Sequence, residues 1–259
     1  MKKKVDIIIS CYNEENNILP FYDEAIKYLN DDAFTYNIFF INDGSKDKTY
    51  EKICDVKNNH LTKNSNANIK VSDISFTKNF GHEAAMCAGL DNSNADYLIF
   101  MDSDLQHPPK KIIEILGEFK NGADCVLLRR TKYRNASIFK KFTSKAYYIF
   151  SRYVLRNKNV GDVSDFFAID SSVAKKIKVN YQTRLRFMRS FAQVEAENIK
   201  IINYESENRY SGTSRYSYLK LTKLAIVSEL SRSKFFRNRY KSTDDKPVYV
   251  IDKIRSDYE

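Results

Sequence analysis

The chain has 259 residues, 42% of them hydrophobic and 29% charged, enough for a sizeable core in one α/β domain with C-terminal additions or in two domains. Lys+Arg 43 against Asp+Glu 33 gives a formal net charge of +10, which favours an anionic partner: nucleic acid, anionic lipid or a phosphorylated substrate. No apolar run approaches the roughly 20 residues of a membrane-spanning helix, and nothing points to a repeat array. In chain order, Val5 to Ser10 reads as a buried strand, and a helical pattern with Ile18, Phe21, Ala25, Tyr28 and Leu29 follows the polar turn Asn13 to Asn17. Tyr36 to Ile41 is a second strand, stopped by Asn42-Asp43-Gly44-Ser45, and Thr49 to Val56 is helical. Ile69 to Ile74 is a weaker strand, His82 to Leu90 a helix, and Tyr97 to Met101 the strongest strand. Pro108-Pro109 suits a helix start, with Ile112, Ile113, Leu116 and Phe119 expected on its buried side, and Ala123 to Leu128 is another strand.

This β-α alternation with apolar strands predicts an α/β fold, a mostly parallel sheet covered by helices on both faces. The second half changes character. Phe139 to Leu155 is aromatic and basic and reads as one long helix; Phe166 to Ile169 and Ile199 to Tyr204 read as short strands. Leu219 to Leu230 has an apolar helical pattern followed by the cationic Arg232 to Lys241, and the last residues, from Asp244-Asp245-Lys246-Pro247, read as a surface tail. Cys11, Cys54, Cys87 and Cys125 are scattered without a C-x-x-C pair, which indicates neither zinc nor a disulfide framework and favours a reducing cytosol. Lys2 to Lys4 precede too short an apolar stretch for a signal peptide.

The apolar run Tyr97 to Met101 ends in Asp102-Ser103-Asp104. A strand buried on both faces does not tolerate two unpaired acids, so Asp102 and Asp104 are expected just beyond its carboxyl end, the edge where open α/β sheets bind ligands. Neighbouring carboxylates repel unless a cation or protons intervene, and hard oxygen ligands suit Mg2+ or Mn2+ bridging a substrate diphosphate. Alone, Asp-Ser-Asp also reads as an acidic turn, and Asp43 as a turn residue helped by Gly44. The ordered set is more discriminating: Ser10-Cys11-Tyr12-Asn13-Glu14, Asn42-Asp43-Gly44-Ser45, Asn79-Phe80-Gly81, then Asp102-Ser103-Asp104-Leu105-Gln106-His107-Pro108.

These motifs resemble the family 2 glycosyltransferases, inverting enzymes of the GT-A fold that use nucleotide-diphosphate sugars. The chain looks most like their polyprenyl-phosphate branch, the dolichyl-phosphate mannose synthase and bacterial undecaprenyl-phosphate sugar transferase group, from about Val5 to about Leu230. The resemblance implies that Ser10, Tyr12 and Glu14 help to hold base and ribose and that Asp43 accepts a hydrogen bond from the base. It implies that Asp102 and Asp104 serve metal and ribose-diphosphate, with Gln106 completing the metal shell. Asp165-Phe166-Phe167 is similar to the branch's Asp-Phe-Arg, with Phe167 in place of arginine, and makes Asp165 the candidate base or an orienter of sugar hydroxyls. Its other reading is an Asp turn before a strand. The resemblance places acceptor-phosphate contacts around Arg129, Arg130, Arg134 and Ser137, for which a solvated basic loop is the alternative. Arg209-Tyr210-Ser211-Gly212-Thr213-Ser214-Arg215-Tyr216 matches the late Arg-x-x-Gly-x-Ser-Lys-Tyr motif, with Arg215 replacing lysine, so Arg209 and Ser214 are expected to close over phosphate.

His82 and His107 lack metal-binding spacing and read as hydrogen-bonded structural histidines. The expected organisation is a catalytic domain over residues 1–218 and an amphipathic basic extension over 219–259, which either lies at an anionic interface or packs on the core. The expected function is transfer from a UDP- or GDP-sugar to a polyprenyl phosphate at the cytoplasmic membrane face, with Mg2+ or Mn2+. The protein would be peripheral there or carried by a membrane-protein partner. The alternative is a soluble family 2 enzyme using a saccharide or surface-polymer hydroxyl. A homo-oligomer stays open, and nucleic acid is not an expected partner, because the acidic strand ends would repel it.

Overall fold

The computed structural model describes residues 1–63, 68–131, 163–181, 187–205 and 248–255. Branched side chains at Val5, Ile7, Ile8 and Ile9 make β1 (Lys3–Cys11) a strand buried on both faces. It pairs in parallel with β2 (Phe34–Asn42) on one side and β4 (Tyr97–Asp102) on the other, and β2 pairs in parallel with β3 (Ile69–Phe76). β5 (Cys125–Arg130), β6 (Phe167–Asp170), β7 (Ile199–Tyr204) and β8 (Ile251–Arg255) complete an eight-stranded sheet of order β7-β5-β6-β4-β1-β2-β3-β8.

The period-2 alternation of β1 assigns its side chains to two cores. Ile7 and Ile9 join the layer beneath α1 (Ile18–Ala25), α2 (Thr49–Lys63) and α4 (Lys111–Lys120), where Phe21, Ile53 and Ile115 are buried. Ile8 points the other way, to α3 (His82–Asn92), α5 (Ser171–Asn180) and α6 (Met188–Glu195), where Leu90, Ile177 and Phe191 are buried. Burying each such side chain stabilises the fold by about 1.5–3 kcal/mol. Helices therefore cover both faces of a mixed sheet, as the alternation predicts.

Several expectations change. Ile113 is 54% exposed and Ile115 takes its place, because the i, i+3, i+4, i+7 face of α4 runs through Ile112, Ile115, Leu116 and Phe119. α2 continues past Val56 to Lys63, held by His60, whose Nδ1 meets the Tyr22 hydroxyl at 2.7 Å and whose Nε2 meets the Ile69 carbonyl oxygen at 2.9 Å. β6 lies antiparallel between β4 and β5. The chain leaves β5 and re-enters at β6 on the same sheet edge, and a parallel pairing would need a crossover to the opposite edge. The expected surface tail is instead β8, antiparallel to β3. Tyr249 stacks on Phe76 at 5.2 Å and its hydroxyl bonds Asp91, so part of the extension expected over 219–259 forms the edge strand of the sheet. The helices expected over Phe139 to Leu155 and Leu219 to Leu230, and the cationic Arg232 to Lys241, lie outside the described residues.

Gly89 lets α3 approach β1: a Cβ there would sit 2.3 Å from Ile8 Cγ2. Helix propensity favours alanine over glycine by about 1 kcal/mol, while overpacking a core costs about 1–3 kcal/mol. Gly89→Ala is therefore expected to lower stability in urea unfolding, and the loss in the Gly89→Ala, Ile8→Ala double variant to be smaller than the sum of the two single losses.

Candidate functional site

Parallel register puts the polar ends of three strands at one level. Ser10 of β1 is the partner of Asp102 in β4, and Cys11 is the partner of Asn42 in β2. The Asp43 amide then donates to the Cys11 carbonyl at 2.8 Å, so Ser10, Asp43 and Asp102 stand along the carboxyl edge as the ordered motifs require.

The loops after β1 and β2 are bonded to each other. The Asn13 amide donates to Ser45 Oγ at 2.9 Å, the Lys46 amide to Asn13 Oδ1 at 2.8 Å, and the Glu14 amide to Thr49 Oγ1 at 2.7 Å. Asn13 takes a φ of 52°, a left-handed conformation that asparagine tolerates. Ser10 and Tyr12 are half-buried beside these loops, and the Glu14 carboxylate accepts from Asn17 Nδ2, closing the turn into α1.

Asp43 is buried and forms the hinge of the second strand end. Its Oδ1 accepts the Phe80 amide at 2.6 Å, and its Oδ2 accepts the Gly81 amide and Asn79 Nδ2, both at 2.9 Å. Burial pushes its carboxyl up to about 6, and the Phe80 and Gly81 amides and the His82 charge oppose the rise. It is thus ionised at neutral pH, as three N–H donors require. Gly44 has φ 61° and a Cβ there would meet the Lys78 carbonyl carbon at 2.2 Å, so glycine alone fits this close approach. The role the resemblance gives Asp43 toward a base is thus joined by a second task, fixing the 79–81 loop.

In the acidic loop, Asp102 is the last residue of β4 rather than a residue beyond it, with a side chain 37% exposed. Asp104 is buried and its Oδ1 accepts the Gln106 amide at 3.1 Å. Leu105 between them has φ 62°, a conformation that costs a non-glycine residue about 1–2 kcal/mol and that concentrates at functional loops. Two carboxylates with Gln106 nearby fit the donor set that holds Mg2+ or Mn2+ when a substrate diphosphate and water supply the other oxygens. Among the described residues no group of three or more His, Cys, Asp or Glu could hold a metal ion.

His107 is a structural histidine, as its sequence context predicts. It is buried, stacks on Phe166 at 5.0 Å, and accepts the Asp102 amide at Nδ1 over 3.0 Å, so its proton sits on Nε2. Burial pushes its pKa down against the nearby Asp102, Asp104 and Asp165 charges. His82 differs, with Nδ1 3.8 Å from Asp102 Oδ1. Burial pushes it down, but Asp102, Asp165, Glu83 and Asp43 together bring it above its ordinary value.

Asp165 precedes β6 on the same edge, and Arg189 Nη1 of α6 stands 2.9 Å from its Oδ1. Burial pushes its carboxyl up, yet Arg189, His82 and His107 hold it below the ordinary carboxylate value. Phe167, at the position of the branch's arginine, is buried and stacked on Phe100 at 4.6 Å, so Arg189 supplies a guanidinium here from elsewhere in the chain. Arg189 and Glu83 carried no motif, and only the position of Glu83 behind Gly81 at a helix start could have signalled it. Arg129 and Arg130 end β5, half-buried, with Nε atoms that lack a hydrogen-bond partner. An open cavity of about 310 Å³ is lined by residues including Lys110, Thr131 and Tyr204. Arg134, Ser137, Arg209 and Ser214 lie outside the described residues.

The family model "Glycosyl transferase family 2" matches residues 6–178. An uncharacterised glycosyltransferase of Synechocystis sp. is 31% identical over 226 residues, 87% of this chain and 68% of that protein. A prophage bactoprenol glucosyl transferase homolog of Escherichia coli is 31% identical over 237 residues, 90% of this chain and 73% of that protein. The chain therefore spans about two thirds to three quarters of the length of these relatives. Among solved structures, glucosyl-3-phosphoglycerate synthase from Mycobacterium tuberculosis, in complex with Mn2+, UDP-glucose and phosphoglyceric acid, superimposes with a TM-score of 0.56. It is 15% identical, with 89% of this chain and 79% of that one covered, a likeness of fold.

Asp43→Ala removes an ionised acceptor from the Phe80 and Gly81 amides, bonds worth about 1.5–3 kcal/mol each. Hydrogen–deuterium exchange at these two amides is expected to accelerate by about one to two orders of magnitude, with the β1 and β4 amides unchanged.

Proposed function

The chain belongs to glycosyl transferase family 2, and from that premise we propose that it is an inverting transferase moving a sugar from a UDP- or GDP-sugar to a polyprenyl phosphate at the cytoplasmic face of a membrane. The observation that carries this reading is the alignment of Ser10, Asp43 and Asp102 at one sheet edge, where a nucleotide diphosphate can span all three strand ends. Ser10, Tyr12, Glu14 and Asp43 would hold the nucleoside. Asp102, Asp104 and Gln106 would hold Mg2+ or Mn2+, which when bound supplies positive charge against the leaving diphosphate. The acceptor oxygen attacks the anomeric carbon as the bond to the diphosphate breaks, and the chain's task is to align the two.

The state of Asp165 favours a phosphate acceptor. A hydroxyl must lose a proton in the transition state, and a carboxylate held below its ordinary pKa by Arg189 is a weak base for that. A phosphate monoester has its second pKa near 6 and arrives mostly ionised, which leaves Asp165 to orient the sugar. Charge supports a membrane-facing edge. The chain leaves the carboxyl edge after Thr131 and Glu205 and returns to it at Val163 and Val248. The intervening sequences 132–162 and 206–247 carry net charges of +7 and +6, against +10 for the whole chain. The rest is net acidic, so cationic attraction to an anionic bilayer, about 1 kcal/mol per well-placed side chain, concentrates in these sequences. Arg129, Arg130, Arg134, Ser137, Arg209 and Ser214 would serve the acceptor phosphate. Among the described residues no helix is long and apolar enough to cross a membrane.

The test is product identification by mass spectrometry, with UDP- and GDP-sugars offered against undecaprenyl phosphate and against saccharide acceptors in Mn2+. Glycosylated lipid phosphate is expected, and product on saccharides alone would establish the hydroxyl-acceptor reading instead. Asp104→Asn is expected to lower turnover by about two orders of magnitude or more with an unchanged circular dichroism spectrum. Chelation of divalent cations is expected to stop the wild-type reaction.

A further inference from the structure

Beside the acidic loop, side chains from three separate elements meet in a second charged group. His82 and Glu83 open α3, Asp165 precedes β6, and Arg189 lies in the first turn of α6. Arg189 Nη1 pairs with Asp165 Oδ1 at 2.9 Å and also donates to the Val163 carbonyl at 2.7 Å, so one guanidinium holds the chain on both sides of Ser164. Both contacts are made by the one Nη1, whose two N–H bonds serve the carboxylate and the carbonyl.

The helix that carries Arg189 is itself tied down. The Met188 amide, one of the first-turn donors that a helix leaves without an internal partner, donates to Glu83 Oε2 at 3.0 Å. Phe187, at the N-cap, offers no side-chain acceptor, so Glu83 caps α6 from the neighbouring helix. Burial and then the Asp165 charge bring the Glu83 carboxyl up to about 7. A carbonyl oxygen accepts the Met188 amide in either protonation state, so the tether persists across that range.

We propose that Arg189, anchored through Glu83, is a positioning residue that fixes the Asp165 carboxylate at the reaction edge. The inference rests on the reading of Asp165 as a group that meets the donor sugar. It assigns to α3 a link between the two halves of the site, because the helix that starts with His82 against Asp102 also fixes the residue that orients Asp165.

The experiment is steady-state transfer from UDP-glucose to undecaprenyl phosphate with Mn2+, on the full chain, as a function of pH. Arg189→Ala is expected to lower kcat by about tenfold to a hundredfold with the KM for UDP-glucose changed by less than about twofold. The acid limb of its kcat profile should move to higher pH, since Asp165 loses the cation that keeps it ionised and only His82 and His107 remain to oppose its burial. Arg189→Lys should retain part of the rate, Glu83→Gln most of it, and Glu83→Ala should resemble Arg189→Ala. Because Arg189 acts through Asp165, Asp165→Asn combined with Arg189→Ala should be no slower than Asp165→Asn alone. A wild-type kcat and acid limb in Arg189→Ala, or a double variant slowed by the product of the two single effects, would overturn the inference while leaving the proposed reaction standing. A wild-type rate in Glu83→Ala would overturn the anchoring. Absence of transfer by the wild-type chain from every UDP- and GDP-sugar offered in place of UDP-glucose, or full activity in Asp165→Asn, would remove the underlying reading and the inference with it.

Discussion

Ionised carboxylates cannot enter the strand interiors of a sheet covered on both faces without a countercharge, and that constraint decides where this chain can do chemistry. Ile7, Ile8, Ile9, Ile99 and Phe100 fill the centre, and the acids Asp43, Asp102 and Asp104 collect where β2 and β4 stop. Parallel register does the rest, because strands in register that run the same way end together. The carboxyl edge that gathers these three acids also gathers helix starts and loops, which is what a diphosphate and its cation need. Asp73 confirms the rule from the other direction. It is fully buried within β3, and it is met by Lys57 at 3.7 Å and by Arg255 of β8 at 3.6 Å. The terminal strand is therefore also the source of a countercharge.

Around that edge the carboxylates are held in different states by their surroundings. Asp43 is buried against three N–H donors and serves as a joint between loops, while Asp102 keeps an exposed face. Asp165 and Glu83 share one neighbourhood but not one fate: Arg189 keeps the first ionised, and burial holds the second near neutrality. Groups that look alike in the sequence thus take distinct tasks through their partners.

The parallel centre of the fold and the order of the motifs were legible because both depend on local pattern. Apolar runs mark buried strands, and Asp43 and Asp102 announce the strand ends. What was not legible depended on long-range pairing. β8 pairs through only a few residues, several of them polar, and nothing in Ile251 to Arg255 signals that β3 has a free edge or that Asp73 needs a cation. The antiparallel entry of β6 follows from a connection that returns to its starting edge, which periodicity does not encode. Arg189 sits in an amphipathic helix with no motif around it, and its partnership with Asp165 exists only in three dimensions. Ile113 and Ile115 differ in helical phase, which the i, i+3, i+4 pattern settles only once the helix start is known.

The central claim is that the aligned ends of β1, β2 and β4 form a metal-dependent nucleotide site. Calorimetric titration of UDP and of GDP into the full chain, with and without Mn2+, tests it most directly. One of the two nucleotides is expected to bind in a Mn2+-dependent manner, and Asp102→Asn to abolish that dependence. Equal binding by the wild-type and Asp102→Asn chains in the presence of Mn2+, or no binding of either nucleotide, would contradict the claim.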